Sequence, residues 1–106
     1  MTMIHTSQRV ERLLNTKMNK ILLITTKGCA ACTIMERLVK DAIAESHKSI
    51  VIEIKDVKNA NASFLHEHPT NDFPTTYFIK DNDVKFQYVG TNAKIVILRW
   101  IDVYFK

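Results

Sequence analysis

The sequence predicts a single α/β domain spanning residues 1–106, with a central mixed β-sheet flanked by helices on both faces in the order β-α-β-α-β-α-β-β-α. Three observations lead there. Lys20–Thr26 and Ile50–Ile54 are β-branched apolar runs separated by a segment of helical period, Cys29–Ser46, which is the pattern of a βαβ unit. Thr75–Ile79 and Val84–Val89 flank the turn-forming stretch Lys80-Asp81-Asn82-Asp83 and read as a hairpin. Ala93–Phe105 then has the length and apolar content of a closing helix.

Taken in chain order, Thr2–His5 reads as a short edge strand. Ser7 is an N-cap for a short helix, Gln8–Leu14, whose apolar side carries Val10, Leu13 and Leu14. Asn15–Asn19 reads as a loop. Lys20–Thr26 is continuously apolar over Ile21–Ile24, as expected of a central strand buried on both faces. In Cys29–Ser46, Ile34, Leu38 and Ile43 with the small residues between them define one face, while Glu36, Lys40 and Glu45 lie elsewhere. His47-Lys48 near its end suits the helix dipole. Asn61–Glu67 forms a short helix that stops before Pro69. Thr91 or Asn92 caps the last helix.

Composition narrows the function classes. Hydrophobic residues make up 46% and charged residues 25%, an ordinary soluble balance that can fill one core without staples. The net charge of +4 comes from lysines spread along the chain, without the basic, aromatic-interleaved stretch of a nucleic-acid surface. The N-terminal region carries Arg9, Glu11, Arg12, Lys17 and Lys20 and no signal-type apolar segment, and no run is long enough to span a bilayer. A cytoplasmic location is the resulting expectation, with neither membrane nor nucleic acid among the partners. In that compartment a CxxC pair is catalytic or metal-binding more often than structural.

The strongest local feature is Lys27-Gly28-Cys29-Ala30-Ala31-Cys32, which follows the buried strand and opens a helix. A helix N-terminus offers free N–H groups and the positive end of the dipole, and both stabilise a thiolate. Cys29 falls at the cap or first turn with its sulfur exposed, and Lys27 adds nearby positive charge that lowers the thiol pKa. Two intervening residues bring Cys32 onto the same face about one turn on, within reach of a disulfide. The second thiol can then resolve a mixed disulfide formed at the first. Gly28 gives freedom at the sharp strand-to-helix turn.

Other readings of the pair compete at this level. Two cysteines can pack as small hydrophobes, or form a disulfide without turnover. They can supply half of a zinc site, for which His66 and His68 are available, although their spacing falls short of the usual ligand pattern. No metal is therefore expected.

Two further elements stand at a distance from the cysteines: Phe73-Pro74-Thr75-Thr76 immediately before a strand, and Tyr88-Val89-Gly90 after the hairpin. With the strand–CxxC–helix unit they resemble the thioredoxin family, whose Ile-Pro-Thr and Val-Gly elements occupy these places, and the resemblance covers nearly the whole chain. It implies the thioredoxin fold, a cis peptide bond before Pro74, and Pro74 beside the Cys29–Cys32 pair. It implies a substrate groove in which Gly28, Phe73, Pro74 and Gly90 bind an extended substrate segment, with the Phe73 backbone hydrogen-bonding it. It implies reduction of protein disulfides by dithiol exchange, with no cofactor beyond the redox-active disulfide itself. The electron donor would be a thioredoxin-reductase-like protein or a small thiol.

The sequence also departs from that family. The usual W-C-G-P-C is here Gly28-Cys29-Ala30-Ala31-Cys32, so the tryptophan and the intervening proline are missing. The family's buried aspartate, six residues before the first cysteine, is Leu23. Asp56, Asp72 and Glu36 are the candidates to take over its part in proton transfer. Glutaredoxins share the C-x-x-C and cis-proline, but Val89-Gly90-Thr91-Asn92-Ala93 lacks their Gly-Gly and acidic residue. A non-catalytic binding module on the same fold is the remaining alternative. The wide apolar arc of Ala93–Phe105 reads first as core packing and second as a homodimer contact.

Overall fold

A computed structural model describes residues 18–106; the strand expected at 2–5 and the helix expected at 8–14 lie outside the described residues. The described elements are β1 (Asn19–Thr25), α1 (Ala30–Ser46), β2 (Ile50–Asp56), a 3-10 turn (Val57–Asn59), α2 (Ala62–Glu67), β3 (Thr75–Lys80), β4 (Asp83–Val89) and α3 (Lys94–Tyr104). The strands form one sheet in the order β2-β1-β3-β4. β1 pairs with β2 in parallel and with β3 antiparallel, and β3 pairs antiparallel with β4. The sheet is therefore mixed, as the sequence predicts.

β1 is central because its residues bury on both faces. Ile21 and Leu23 join Phe78 in a core with Met35, Val39 and Ala42 of α1 and Ile97 and Ile101 of α3. Leu22 and Ile24 join Tyr77 and Ile79 on the opposite face, against Phe64 of α2, Val57 and Phe73. This alternation is the period of two along a strand, and it puts α1 and α3 on one side and α2 on the other. β2 is more exposed than its β-branched sequence implies: Ile50, Ile52 and Ile54 face the core, whereas Val51 is 49% exposed.

The phase of α1 differs from the expected one. Its buried residues are Cys32, Met35, Val39 and Ala42, spaced three, four and three apart, while Ile34 is 55% exposed. Leu38 and Ile43 only flank the buried stripe. The stripe runs on from Cys32, and its residues Met35, Val39 and Ala42 turn the inward face onto Ile21, Leu23 and Ile97.

The hairpin reverses through Asp81 and Asn82, both at positive φ (52° and 71°). Asx residues tolerate this conformation, and positive φ at both central positions matches the twist of a two-residue hairpin. α3 is capped differently from expectation. Its N-cap is Ala93, which has no side-chain cap bond, and Asn92 Oδ1 instead accepts the Ala93 N–H at 2.8 Å. Most of the apolar arc of α3 is used internally. Phe78 packs its ring against Phe86, Trp100, Tyr104 and Phe105 at centroid distances of 5.6–6.1 Å. Only Ile95 and Val103 of that arc are left largely exposed.

Candidate active site

The site forms where β1 ends and α1 begins, next to the chain entering β3. Gly28 takes φ +66°, a left-handed conformation that glycine adopts without strain, and this turns the chain from strand to helix. Cys29 follows in extended conformation as the N-cap of α1. Its Sγ accepts the Cys32 N–H at 3.0 Å, so one of the orphan donors of the helix start points at the sulfur. Cys29 and Cys32 are joined as a disulfide with their Cα atoms 5.2 Å apart, inside the range that two residues in one turn can bridge. The two are unequal: Cys29 is half-buried and Cys32 is 5% exposed. A shallow cleft lined by Thr25, Thr26, Gly28, Cys29, Ala30, Cys32, Thr33 and Glu36 opens over them.

The 73–74 segment lies next to Cys29. The Phe73–Pro74 peptide bond is cis. The Phe73 carbonyl oxygen lies 4.0 Å from Cys29 Sγ, while its ring packs away from the cysteines against the Leu22, Ile24, Tyr77 and Ile79 cluster. The Phe73 backbone thus reaches the sulfur and its side chain anchors the loop. Gly90, at φ +102°, donates its N–H to the Pro74 carbonyl at 2.8 Å. Among the described residues, nothing beyond its chain neighbours lies within 4 Å of where a Cβ on Gly90 would sit, so its backbone conformation and not crowding calls for glycine.

Hydrogen bonds hold this loop at its other end. Thr75 Oγ1 donates to the Asp72 carbonyl at 2.6 Å and contacts Thr70 Oγ1 at 2.6 Å. The Tyr77 hydroxyl donates to the His68 carbonyl at 2.7 Å, and burial pushes the Tyr77 phenol pKa above its ordinary value. Gln87 Nε2 donates to the Pro69 carbonyl at 3.1 Å. Three strand side chains therefore fix the backbone that presents Pro74.

The structure brings Gly28, Cys29, Cys32, Phe73, Pro74 and Gly90 together at one end of the sheet. Lys27 is exposed in the turn and does not line the cleft. Among the candidates for the missing acid, Asp56 Oδ1 accepts the Lys58 N–H at the start of the 3-10 turn, and Asp72 is exposed. Glu36 lines the cleft and pairs with Lys40 at 2.8 Å. His68 packs its ring on Phe64 at 4.9 Å, and no group of three His, Cys, Asp or Glu is arranged to hold a metal among the described residues. No described helix is long and apolar enough to cross a membrane. The residue that sequence reading overlooks is Thr76, whose buried Oγ1 makes no hydrogen bond among the described residues. A threonine in a strand-forming run gives no signal of this; only the register reveals it.

Strand order, helix placement and a CxxC disulfide at a helix entrance beside a cis-proline define a thioredoxin-like fold. Solved structures agree. The chain is similar to a mutant thioredoxin from Halobacterium salinarum NRC-1, at TM-score 0.71 and 18% identity, over 85% of this chain and 77% of that one. It is similar to thioredoxin f from spinach chloroplast, at TM-score 0.71 and 19% identity, over 88% of this chain and 81% of that one. It is also similar to thioredoxin-2, a component of malaria parasite protein secretion machinery, at TM-score 0.70 and 17% identity, over 82% of this chain and 84% of that one. No protein-family model matches the sequence, and no curated protein does.

Proposed function

We propose that the protein is a thiol–disulfide oxidoreductase that reduces protein disulfides by dithiol exchange. The observation that carries this reading is the asymmetry of the pair. Cys29 is the accessible sulfur, at the N-cap of α1 with the Cys32 N–H directed at it, and Cys32 is buried behind it. In the reduced protein the same N–H and the helix N-terminus favour a Cys29 thiolate. That thiolate attacks one sulfur of a substrate disulfide, a Cys29–substrate bond forms, and the other substrate sulfur leaves as a thiolate. Cys32 then attacks Cys29 Sγ, the mixed disulfide breaks, and the second substrate thiolate departs. Two electrons pass from the dithiol to the substrate, and the Cys29–Cys32 disulfide remains.

The Phe73 carbonyl, Pro74 and Gly90 form the surface on which an extended substrate segment would lie. A thioredoxin-reductase-like protein or a small thiol restores the dithiol, and the cytoplasm is the compartment in which such a donor keeps it reduced. Insulin reduction in the presence of dithiothreitol tests the reading. The wild type should accelerate turbidity well above background, and Cys29→Ser should not. Equal background rates for both would remove the catalytic claim and leave a binding module on this fold.

A further inference from the structure

Thr76 is the first residue of β3 on the face covered by α1 and α3. It stands opposite Leu23 on β1 and Tyr88 on β4, and residues opposite one another in antiparallel strands share a face. Leu23 and the next β3 residue on that side, Phe78, belong to the core under the two helices. Cys32 is the first buried residue of α1, at the same end of the sheet. Phe73, three residues before Thr76, reaches Cys29 with its carbonyl. Thr76 is 0% exposed and its hydroxyl is unpartnered among the described residues. A buried hydroxyl without a partner is costly, and valine would fill the same space without that cost. A hydroxyl left without a described partner at such a place is free to take one in another state of the site.

That other state is the reduced one. When the disulfide opens, Cys32 gains a thiol or thiolate in a buried region whose facing residues on β1, Leu23 and Thr25, carry no charge. We propose that Thr76 is a positioning residue for the resolving step. Its hydroxyl donates a hydrogen bond to Cys32 Sγ, directly or through one water, once that sulfur is reduced. A hydroxyl can serve a neutral thiol as donor or acceptor, but its bond to an anionic sulfur is the stronger one. The net effect is to favour the Cys32 thiolate. Its proton leaves to solvent, and the thiolate then attacks Cys29 Sγ as the substrate thiolate departs. The mechanism rests on the oxidoreductase reading.

Among the described residues, few other titratable groups stand near Cys32. Cys29 and Glu36 share its cleft. Tyr88, from β4, donates its hydroxyl to the Thr91 carbonyl and accepts from Asn92. Glu36 disfavours a nearby anion, but it does so equally in every variant compared below.

The test titrates Cys32 as the single thiol. In Cys29→Ser, thiolate ultraviolet absorbance followed against pH gives the Cys32 pKa; the same is measured with Thr76→Val and with Thr76→Ser added. Thr76→Val should raise the pKa by about one unit, roughly a tenfold loss of acidity, and Thr76→Ser should keep it near the Cys29→Ser value. Superimposable titrations of the three proteins would overturn the proposal, as would a serine variant that shifts as far as valine. The titration needs no turnover. A wild type inactive on insulin would remove the functional reading while the titration still decides whether Thr76 addresses Cys32.

Discussion

Leu23 and Thr76 face each other across the antiparallel pairing of β1 and β3, both wholly inaccessible to solvent, and only Thr76 brings a polar atom to that buried junction. In the disulfide state the hydroxyl has no partner among the described residues. Thr76→Val should therefore stabilise the oxidised protein by about 1 kcal/mol, the usual penalty of an unsatisfied buried hydroxyl. Guanidinium unfolding of wild type and variant under non-reducing conditions measures this. A loss of stability of similar size would mean that the hydroxyl is already satisfied.

The two glycines at the site should respond differently to alanine. Gly28 sits at φ +66°, inside the left-handed region that alanine enters at about 1–2 kcal/mol. Gly90 sits at φ +102°, outside it, and its N–H is bonded to the Pro74 carbonyl. Among the described residues nothing crowds a Cβ at either position, so conformation ranks them. Gly90→Ala should cost more, about 2–3 kcal/mol, and should also slow disulfide reduction by shifting Pro74. Denaturant midpoints and insulin reduction rates of the two variants provide the comparison.

Tyr77 links pH to the loop that presents Pro74. Its phenol pKa in the folded state is raised by burial above 10.0, while the unfolded chain titrates near that ordinary value. Stability from the neutral phenol is fully present below pH 10 and is lost as pH rises through the folded-state value, because the unfolded chain releases its proton first. Tyr77→Phe should cost about 1 kcal/mol at neutral pH through loss of the bond to the His68 carbonyl. Above pH 10 the gap between the two proteins should narrow at up to about 1.4 kcal/mol per pH unit. Urea unfolding at neutral and alkaline pH checks both parts.

The phase of α1 can be tested by a pair of substitutions. Ile34 is mostly exposed and Met35 is fully buried between β1 and α3. Ile34→Lys should change stability by less than about 0.5 kcal/mol, whereas Met35→Ala should cost about 2–5 kcal/mol. Thermal unfolding of the two variants would expose an incorrect phase by reversing that order.

Much of this architecture is legible in the sequence. The buried run Ile21–Ile24, the hairpin around Asp81 and Asn82, and the CxxC helix entrance follow from local pattern, because strand burial, positive φ and capping each leave a residue-type signature. The phase of α1 does not follow. Ile34 and Met35 are both apolar and adjacent, and only the packing of α1 against β1 and α3 decides between them. The cap of α3 is missed for a related reason: Asn92 bonds the N–H of its neighbour from outside the helix. At the site, Gly28, Cys29, Cys32, Pro74 and Gly90 are all apparent from type and order. Thr76 is invisible, because an orphaned hydroxyl is a property of strand register and not of composition.

Cys29 and Cys32 have unequal roles in the proposed exchange, and trapping of the mixed disulfide tests this. Cys32→Ser and Cys29→Ser, each reduced and mixed with a disulfide-bonded protein substrate, are quenched with acid and resolved by mass under non-reducing conditions. A stable, thiol-reversible adduct should form on Cys29 in Cys32→Ser and little or none on Cys32 in Cys29→Ser, since Cys32 is buried. Equal adducts on both cysteines, or none on either, would contradict the unequal roles.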